Sequence, residues 1–292
     1  MTTLIPFSQQ GTSAWQFQVE YEGLQKRSLL EVMKLATDAG MGYLDLIHPD
    51  ELAVVMSTGN LKVASLVMLD YDGEGHPPFM VGPNNPANHD LFVANTTKMI
   101  DAAAESGICD CVTVFFGDER VNPFSEKVGS KFSLEGGVRN CIAGYKKVVG
   151  HAEEKGVTLA LELLSSIERD HPMKGHPGYQ GDRLAQCQAV INQVGSSRLK
   201  LLFDSYHFSL MEPSKTPAEW IRHLGKDAIG HFHLAGKDNR NEPYLDEGID
   251  HTACMQALVD IEWEGPVIHE YLPSVRENLK EALRMSGRLC AG

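Results

Sequence analysis

The chain has 292 residues, 42% hydrophobic and 22% charged, which supplies apolar surface for a large core and excludes a disordered or fibrous polymer. Its formal net charge of −13 argues against a nucleic-acid surface, where phosphates call for basic patches, but leaves room for a small anion held by a few local Arg or Lys. No apolar run reaches membrane-spanning length, Met1 to Phe7 lacks the charged and apolar regions of a secretory leader, and the six scattered cysteines show no zinc spacing. A cytoplasmic protein with reduced thiols is the expectation, with no nucleic-acid and no membrane partner.

In chain order, Leu4 to Ser8 is a short apolar start that reads as a first strand interrupted by Pro6, and a polar segment through Trp15 follows. Leu29, Val32, Met33 and Ala36 then form a helical stripe ending at Gly40. From there one pattern recurs, a helix closed by glycine and followed by an apolar strand. The glycines are Gly40, Gly59, Gly107, Gly156, Gly195, Gly225 and Gly265. The strands after them are Tyr43–Ile47, Lys62–Met68, Cys111–Phe116, Thr158–Glu162, Leu199–Asp204, Ile229–Ala235 and Pro266–Tyr271. Between Ser133 and Lys155 the apolar residues fall alternately four and three apart, one face of a long helix.

Strands alternating with helices call for a parallel sheet, and seven repeats plus the first segment make about eight units. The predicted fold is a single-domain α/β protein, a (β/α)8 TIM barrel over residues 1–292. An open doubly wound sheet is the runner-up, but Gly73-Glu74-Gly75 lacks the third glycine of a dinucleotide fingerprint. Three long segments, 71–88, 117–132 and 165–179, follow strand ends and are expected on the face where such barrels carry their sites.

The chemistry gathers at four strand ends. Glu162, Asp204 and Glu270 each close an apolar run, and a carboxylate there is costly unless it is paired or binds a cation. His231 and His233 lie on one face of the strand Ile229–Ala235, and His233 is nearer its end. Three oxygen donors and one imidazole suit a hard or borderline divalent ion, Mg2+ or Mn2+. His269 points to the other face than Glu270 and is left out. His207, three residues after Asp204, and Arg240 and Glu242, after the His233 strand, are candidates for holding substrate oxygens. Glu168 and His231 complete the candidate substrate-side set, His231 standing behind His233.

The half from Thr158 to Pro273 resembles the hydroxypyruvate-isomerase-like branch of the xylose-isomerase-like TIM barrels. The resemblance rests on Leu161-Glu162-Leu163-Leu164, Leu201-Leu202-Phe203-Asp204-Ser205-Tyr206-His207, Ile229-Gly230-His231-Phe232-His233, Asn239-Arg240-Asn241-Glu242 and Gly265-Pro266-Val267-Ile268-His269-Glu270-Tyr271. It implies a metal held by Glu162, Asp204, His233 and Glu270, proton transfer by Glu162 and Glu270, and substrate contacts from His207 and Arg240. One departure is that hydroxypyruvate isomerases place Gln where this chain has His233, whereas ketose 3-epimerases place His there.

The function expected is a divalent-metal-dependent isomerase or epimerase of a small keto-sugar or hydroxy-keto acid, with proton transfer through a metal-stabilised enediolate. A homo-oligomer is compatible with this. A ketose 3-epimerase is the nearest alternative, and a polyol dehydratase or a non-catalytic sugar- or metal-binding barrel are alternatives of other classes. A phosphodiester-cleaving nuclease of the same barrel would need histidines at the third and fourth strand ends, where this chain has Val67-Met68 and Phe115-Phe116-Gly117.

Overall fold

A computed structural model describes residues 4–125 and 129–292. Eight parallel strands form one sheet: β1 (Gln10–Ser13), β2 (Tyr43–Asp45), β3 (Lys62–Val63), β4 (Cys111–Val114), β5 (Thr158–Glu162), β6 (Leu199–Asp204), β7 (Ile229–Leu234) and β8 (Val267–His269). Their order is β3-β2-β1-β8-β7-β6-β5-β4, so the sheet is wound continuously with β3 and β4 at its ends. Those ends meet. The Leu66 N–H donates to Cys111 O at 3.1 Å and the Thr113 N–H to Leu66 O at 3.0 Å, which joins the segment after β3 to β4 and closes the barrel.

Among the described residues ten helices lie between and after the strands: α1 (Trp15–Gln18), α2 (Leu29–Ala39), α3 (Leu52–Met56), α4 (His89–Ser106), α5 (Leu134–Lys155), α6 (Leu184–Val194), α7 (Ser205–Met211), α8 (Pro217–Ala228), α9 (His251–Asp260) and α10 (Leu279–Ala291). Local chemistry sets their ends. Ser28 with Glu31 and Thr216 with Glu219 form reciprocal capping boxes on α2 and α8, and Ser133 caps α5. Gly40, Gly107, Gly156 and Gly195 take the left-handed conformation after α2, α4, α5 and α6, as the glycine spacing predicts. Gly265 does not follow that rule. Helix α9 ends at Ile261 and the left-handed residue is Glu262, at φ 57°. Gly265 is instead required by contact, since a Cβ there would lie 2.4 Å from the Trp263 ring.

The first strand also differs from its expectation. Phe7–Gln9 is one 3-10 turn, and β1 is the polar segment Gln10–Ser13, buried throughout. Its polar groups find partners inside the protein, which is how a strand without an apolar side chain is tolerated. Gln10 Nε2 donates to Ile5 O and Gly287 O, and its Oε1 meets His269 Nε2 at 2.9 Å. Gly11 sits where a Cβ would come within 2.6 Å of Tyr43 Cβ. The main apolar core runs from Ile5 to Cys290, and all six cysteines are buried and unpaired.

Candidate active site

The C-terminal ends of β5 to β8 deliver the predicted residues to one place. Glu162 closes β5, Asp204 closes β6 beside His233 of β7, and Glu270 follows β8. Glu162, Asp204, His233 and Glu270 each place a ligand-type atom within 4.8 Å of the others.

Each side chain is aimed by a specific partner. Asp204 Oδ1 accepts from the Tyr206 and His207 N–H groups at 2.7 and 3.4 Å, capping α7, so the capping role and the site role belong to two different oxygens. His233 Nε2 donates to Asp45 Oδ2 at 2.8 Å, which leaves Nδ1 facing Glu270 Oε2 at 3.1 Å and Glu162 Oε1 at 3.5 Å. Glu270 is held at both oxygens, by Trp15 Nε1 and by Arg240 Nη2, each at 2.5 Å.

Three atoms of this set are buried without a hydrogen-bond partner: Glu162 Oε1, Asp204 Oδ2 and His233 Nδ1. Their electrostatics reflect crowding. Burial pushes Glu162 up to about 7 against the pull of His233, with the charge of Glu270 adding to the rise. Burial likewise lifts Asp204 to about 6 against Arg240. Burial opposes ionisation of Glu270 too, but Arg240 and His233 outweigh it and hold the carboxyl down at about 2. His233 is disfavoured as a cation by burial, yet Glu270, Asp45 and Glu162 raise it well above its ordinary range. Orphaned donor atoms converging from three carboxylates and an imidazole have the composition of a divalent-cation site, so the residues fit the metal that the sequence implies.

The remaining predicted residues divide. His207 is fully buried. Its Nδ1 accepts from the Ser165 N–H at 2.9 Å, which assigns the proton to Nε2, an orphaned atom 3.7 Å from Asp204 Oδ2. Burial and Arg240 keep it neutral. Arg240 reaches the site from a strained backbone position, φ 56°, its guanidinium between the Trp15 and Tyr206 rings at 5.5 Å from each. It is committed to Glu270 and to Met173 O rather than free.

Two residues of the expected substrate-side set stand away from the cavity wall. Glu168 is exposed in the loop after β5 and lines no part of the cavity. His231 lies one pleat below His233, against Asp45 Oδ1 at 3.2 Å and facing the opposite mouth of the barrel, because a two-residue step carries it toward the strand start. Glu242 is also taken. Its carboxylate accepts from the Ser274 and Val275 N–H groups and from Ser274 Oγ.

Asp45 was legible but overlooked. It sits inside the apolar run Leu44-Asp45-Leu46-Ile47, the pattern that singles out Glu162. It is fully buried, accepts from Ser65 Oγ at 2.7 Å, and is held well below the carboxylate range because the two imidazoles outweigh its burial. Trp15 and His176 carried no comparable signal, since Trp15 opens the four-residue helix α1 and His176 stands in an irregular segment.

A cavity of about 320 Å³ opens beside the site, with Glu162 and Glu270 of the four on its wall. Its wall includes Glu162, Glu270, Arg240, Trp15, Phe115 and His176. The long loops contribute unequally. The first supplies Pro78 and Phe79 and the third Pro172, Met173 and His176, whereas no described residue of 117–132 reaches the wall and residues 126–128 lie outside the described set. The second loop instead braces the third, through Glu119 N–H to Gly178 O at 2.7 Å.

Among known proteins the chain is 28% identical to 2-oxo-tetronate isomerase of Cupriavidus necator over 124 residues, 42% of this chain and 43% of that one. It is 31% identical to D-psicose 3-epimerase of Enterocloster bolteae over 119 residues, 41% and 35% of the two chains. The matched stretches thus span less than half of either relative, and hydroxypyruvate isomerases are among the further relatives. In three dimensions the chain superposes on an AP endonuclease family 2 structure from Brucella melitensis with a TM-score of 0.72 at 18% identity, over 94% and 96% of the chains, a likeness of fold alone. A family model described as the xylose isomerase-like TIM barrel matches residues 33–289, which takes in seven of the eight strands and all four converging residues, and the chain belongs to that family.

Proposed function

We propose that this protein is a divalent-metal-dependent isomerase or epimerase of a small keto-sugar or hydroxy-keto acid, moving a proton at the carbon beside a carbonyl. The observation that carries the reading is the convergence of Glu162 Oε1, Asp204 Oδ2 and His233 Nδ1, all buried and without a hydrogen bond, beside Glu270. A buried polar atom without a partner costs about 1–3 kcal/mol, so three facing one point call for a shared occupant. Glu162, Asp204, His233 and Glu270 would hold Mn2+ or Mg2+, which would supply positive charge beside the substrate oxygens.

The chain's own residues do the rest. Glu162 lines the cavity with Oε1 free of hydrogen bonds, which suits it to take and return the proton. Glu270, fixed by Trp15 and Arg240, keeps one orientation and serves the opposite side of the substrate. The neutral His207, with its Nε2–H turned to the site, steadies a substrate oxygen, and the Arg240 guanidinium acts by fixing Glu270. The apolar upper wall keeps water from the reacting carbon. Return of the proton to the adjacent carbon gives isomerisation, and return to the opposite face of the same carbon gives epimerisation. His233 in place of Gln favours ketose 3-epimerisation as the second reading.

The test is metal content. Protein purified without chelator should carry about one divalent ion per chain. His233→Ala should lose it and His231→Ala should retain most of it. Two or three tightly bound ions, or the reverse behaviour of the two variants, would overturn the assignment.

A further inference from the structure

The cavity is chemically lopsided. Polar groups on its wall are confined to Glu162, Glu270, Arg240 and His176, and the rest is hydrocarbon and ring surface from residues such as Val19, Leu46, Val67, Leu69, Phe79 and Phe115. Even the amphipathic members of the wall offer little. The Trp15 N–H is committed to Glu270, and the Met173 carbonyl to Arg240. His176 lies tilted against Phe79, ring centroids 4.6 Å apart, and burial lowers its imidazole to about 3, so it stands neutral.

A polyhydroxylated chain needs a partner for each hydroxyl it buries. Beyond the floor, the described wall provides His176 alone. A phosphate ester needs a counter-charge, and the one cationic side chain among the described wall residues, Arg240, already faces Glu270 and Asp204. Both a long sugar and a sugar phosphate would therefore leave polar groups unpaired against hydrocarbon. A ring or alkyl group would cover the same wall with contact and release water from it.

We infer that the substrate is an α-hydroxy carbonyl compound whose chain beyond the reacting carbons is apolar, an aryl or alkyl tail lying against Leu69, Phe79 and Phe115, and not a free polyol or a phosphate ester. This rests on the metal-site and proton-transfer reading above and replaces its keto-sugar class by an apolar-tailed one, with the carbonyl end over Glu162, Asp204, His233 and Glu270.

Hydroxamates separate the two ideas, since a hydroxamate chelates a divalent ion whatever tail it carries. The Mn2+-loaded protein is titrated calorimetrically with acetohydroxamate, phenylacetohydroxamate, threonohydroxamate and phosphoglycolohydroxamate. Phenylacetohydroxamate is expected to bind at least about tenfold tighter than acetohydroxamate, the scale for burying several carbons. The polyol and phosphate members should bind no tighter than acetohydroxamate. Phe79→Ser and Leu69→Ser should each reduce the phenyl advantage while leaving acetohydroxamate unchanged. Leu69 is 42% exposed, so its replacement tests the wall without disturbing the core. Tightest binding by the polyol or phosphate member overturns the apolar-tail inference and leaves the metal reading standing. Failure of all four to bind, acetohydroxamate included, overturns the metal reading and the inference with it.

Discussion

Asp45→Asn is the perturbation that best separates packing from metal chemistry in this barrel. Asp45 touches no part of the cavity wall. It accepts from His233 Nε2 at 2.8 Å and from Ser65 Oγ at 2.7 Å, with His231 Nε2 at 3.2 Å. An asparagine fits the same volume. Its carbonyl oxygen can keep the His233 bond and its amide can donate to Ser65 Oγ, which already shares a 2.8 Å contact with Thr113 Oγ1. The fold should survive with a loss of about 1–2 kcal/mol, the scale of a charge-assisted hydrogen bond replaced by a neutral one. What disappears is the negative charge behind His233, which raises the donor strength of Nδ1. Removing such a partner costs on the order of 10–100-fold in metal affinity, or about 1.4–2.7 kcal/mol. Calorimetric titration of the chelator-stripped protein with Mn2+ measures this, with circular dichroism and the thermal midpoint reporting the fold. Affinity within about threefold of the parent, in a background where His233→Ala abolishes binding, would refute the reasoning and leave Asp45 a packing residue.

The two glutamates should not be equivalent. Glu162→Gln removes the carboxylate with the free oxygen and should lower turnover by on the order of a hundredfold or more while keeping metal; turnover near the parent level would make Glu162 a ligand only. Glu270→Gln keeps acceptors for Trp15 and Arg240 poorly and should weaken metal binding as well as turnover, which metal analysis beside kinetics distinguishes. Arg240→Ala removes a buried cation that pairs with Glu270 Oε2, so the metal-free protein should lose about 3–5 kcal/mol of stability. Metal affinity should hold or rise because a competing positive charge is gone, and kcat/KM should fall; loss of metal would contradict the assignment. Gly82→Ala places a Cβ 2.3 Å from Phe116 O, a backbone atom that cannot swing away, and should cost about 1–3 kcal/mol in thermal melts; an unchanged midpoint would mean that the loop shifts freely there.

The barrel was legible because its punctuation is local. A glycine that must turn left-handed after α2, α4, α5 or α6 announces itself wherever it stands. Residues Gln10–Ser13 could not be read that way, since the burial of Gln10 depends on the Gly287 carbonyl and on His269, partners distant in sequence. The four converging residues were legible for an energetic reason, that an ionisable group ending an apolar strand demands a partner. The same rule applied to Leu44-Asp45-Leu46 and would have found the carboxylate behind His233. Glu168 shows the limit of proximity in sequence. It stands six residues from Glu162, but the chain leaves the strand at once and carries it into solvent. The placement of Trp15 and His176 depends on how loops fold over the barrel mouth, which no periodicity records.

The central claim is that this site moves a substrate proton with the help of a divalent ion. The direct measurement is deuterium uptake from D2O, followed by proton NMR, at the carbon beside the carbonyl in a panel of hydroxypyruvate, tetronates, ketoses and apolar-tailed α-hydroxy ketones. Uptake by the Mn2+-loaded protein into at least one member is expected, with loss of that uptake on chelation, recovery on adding the ion back, and none in Glu162→Gln. Uptake that persists undiminished after chelation, or its absence across the whole panel in fully loaded protein, would contradict it.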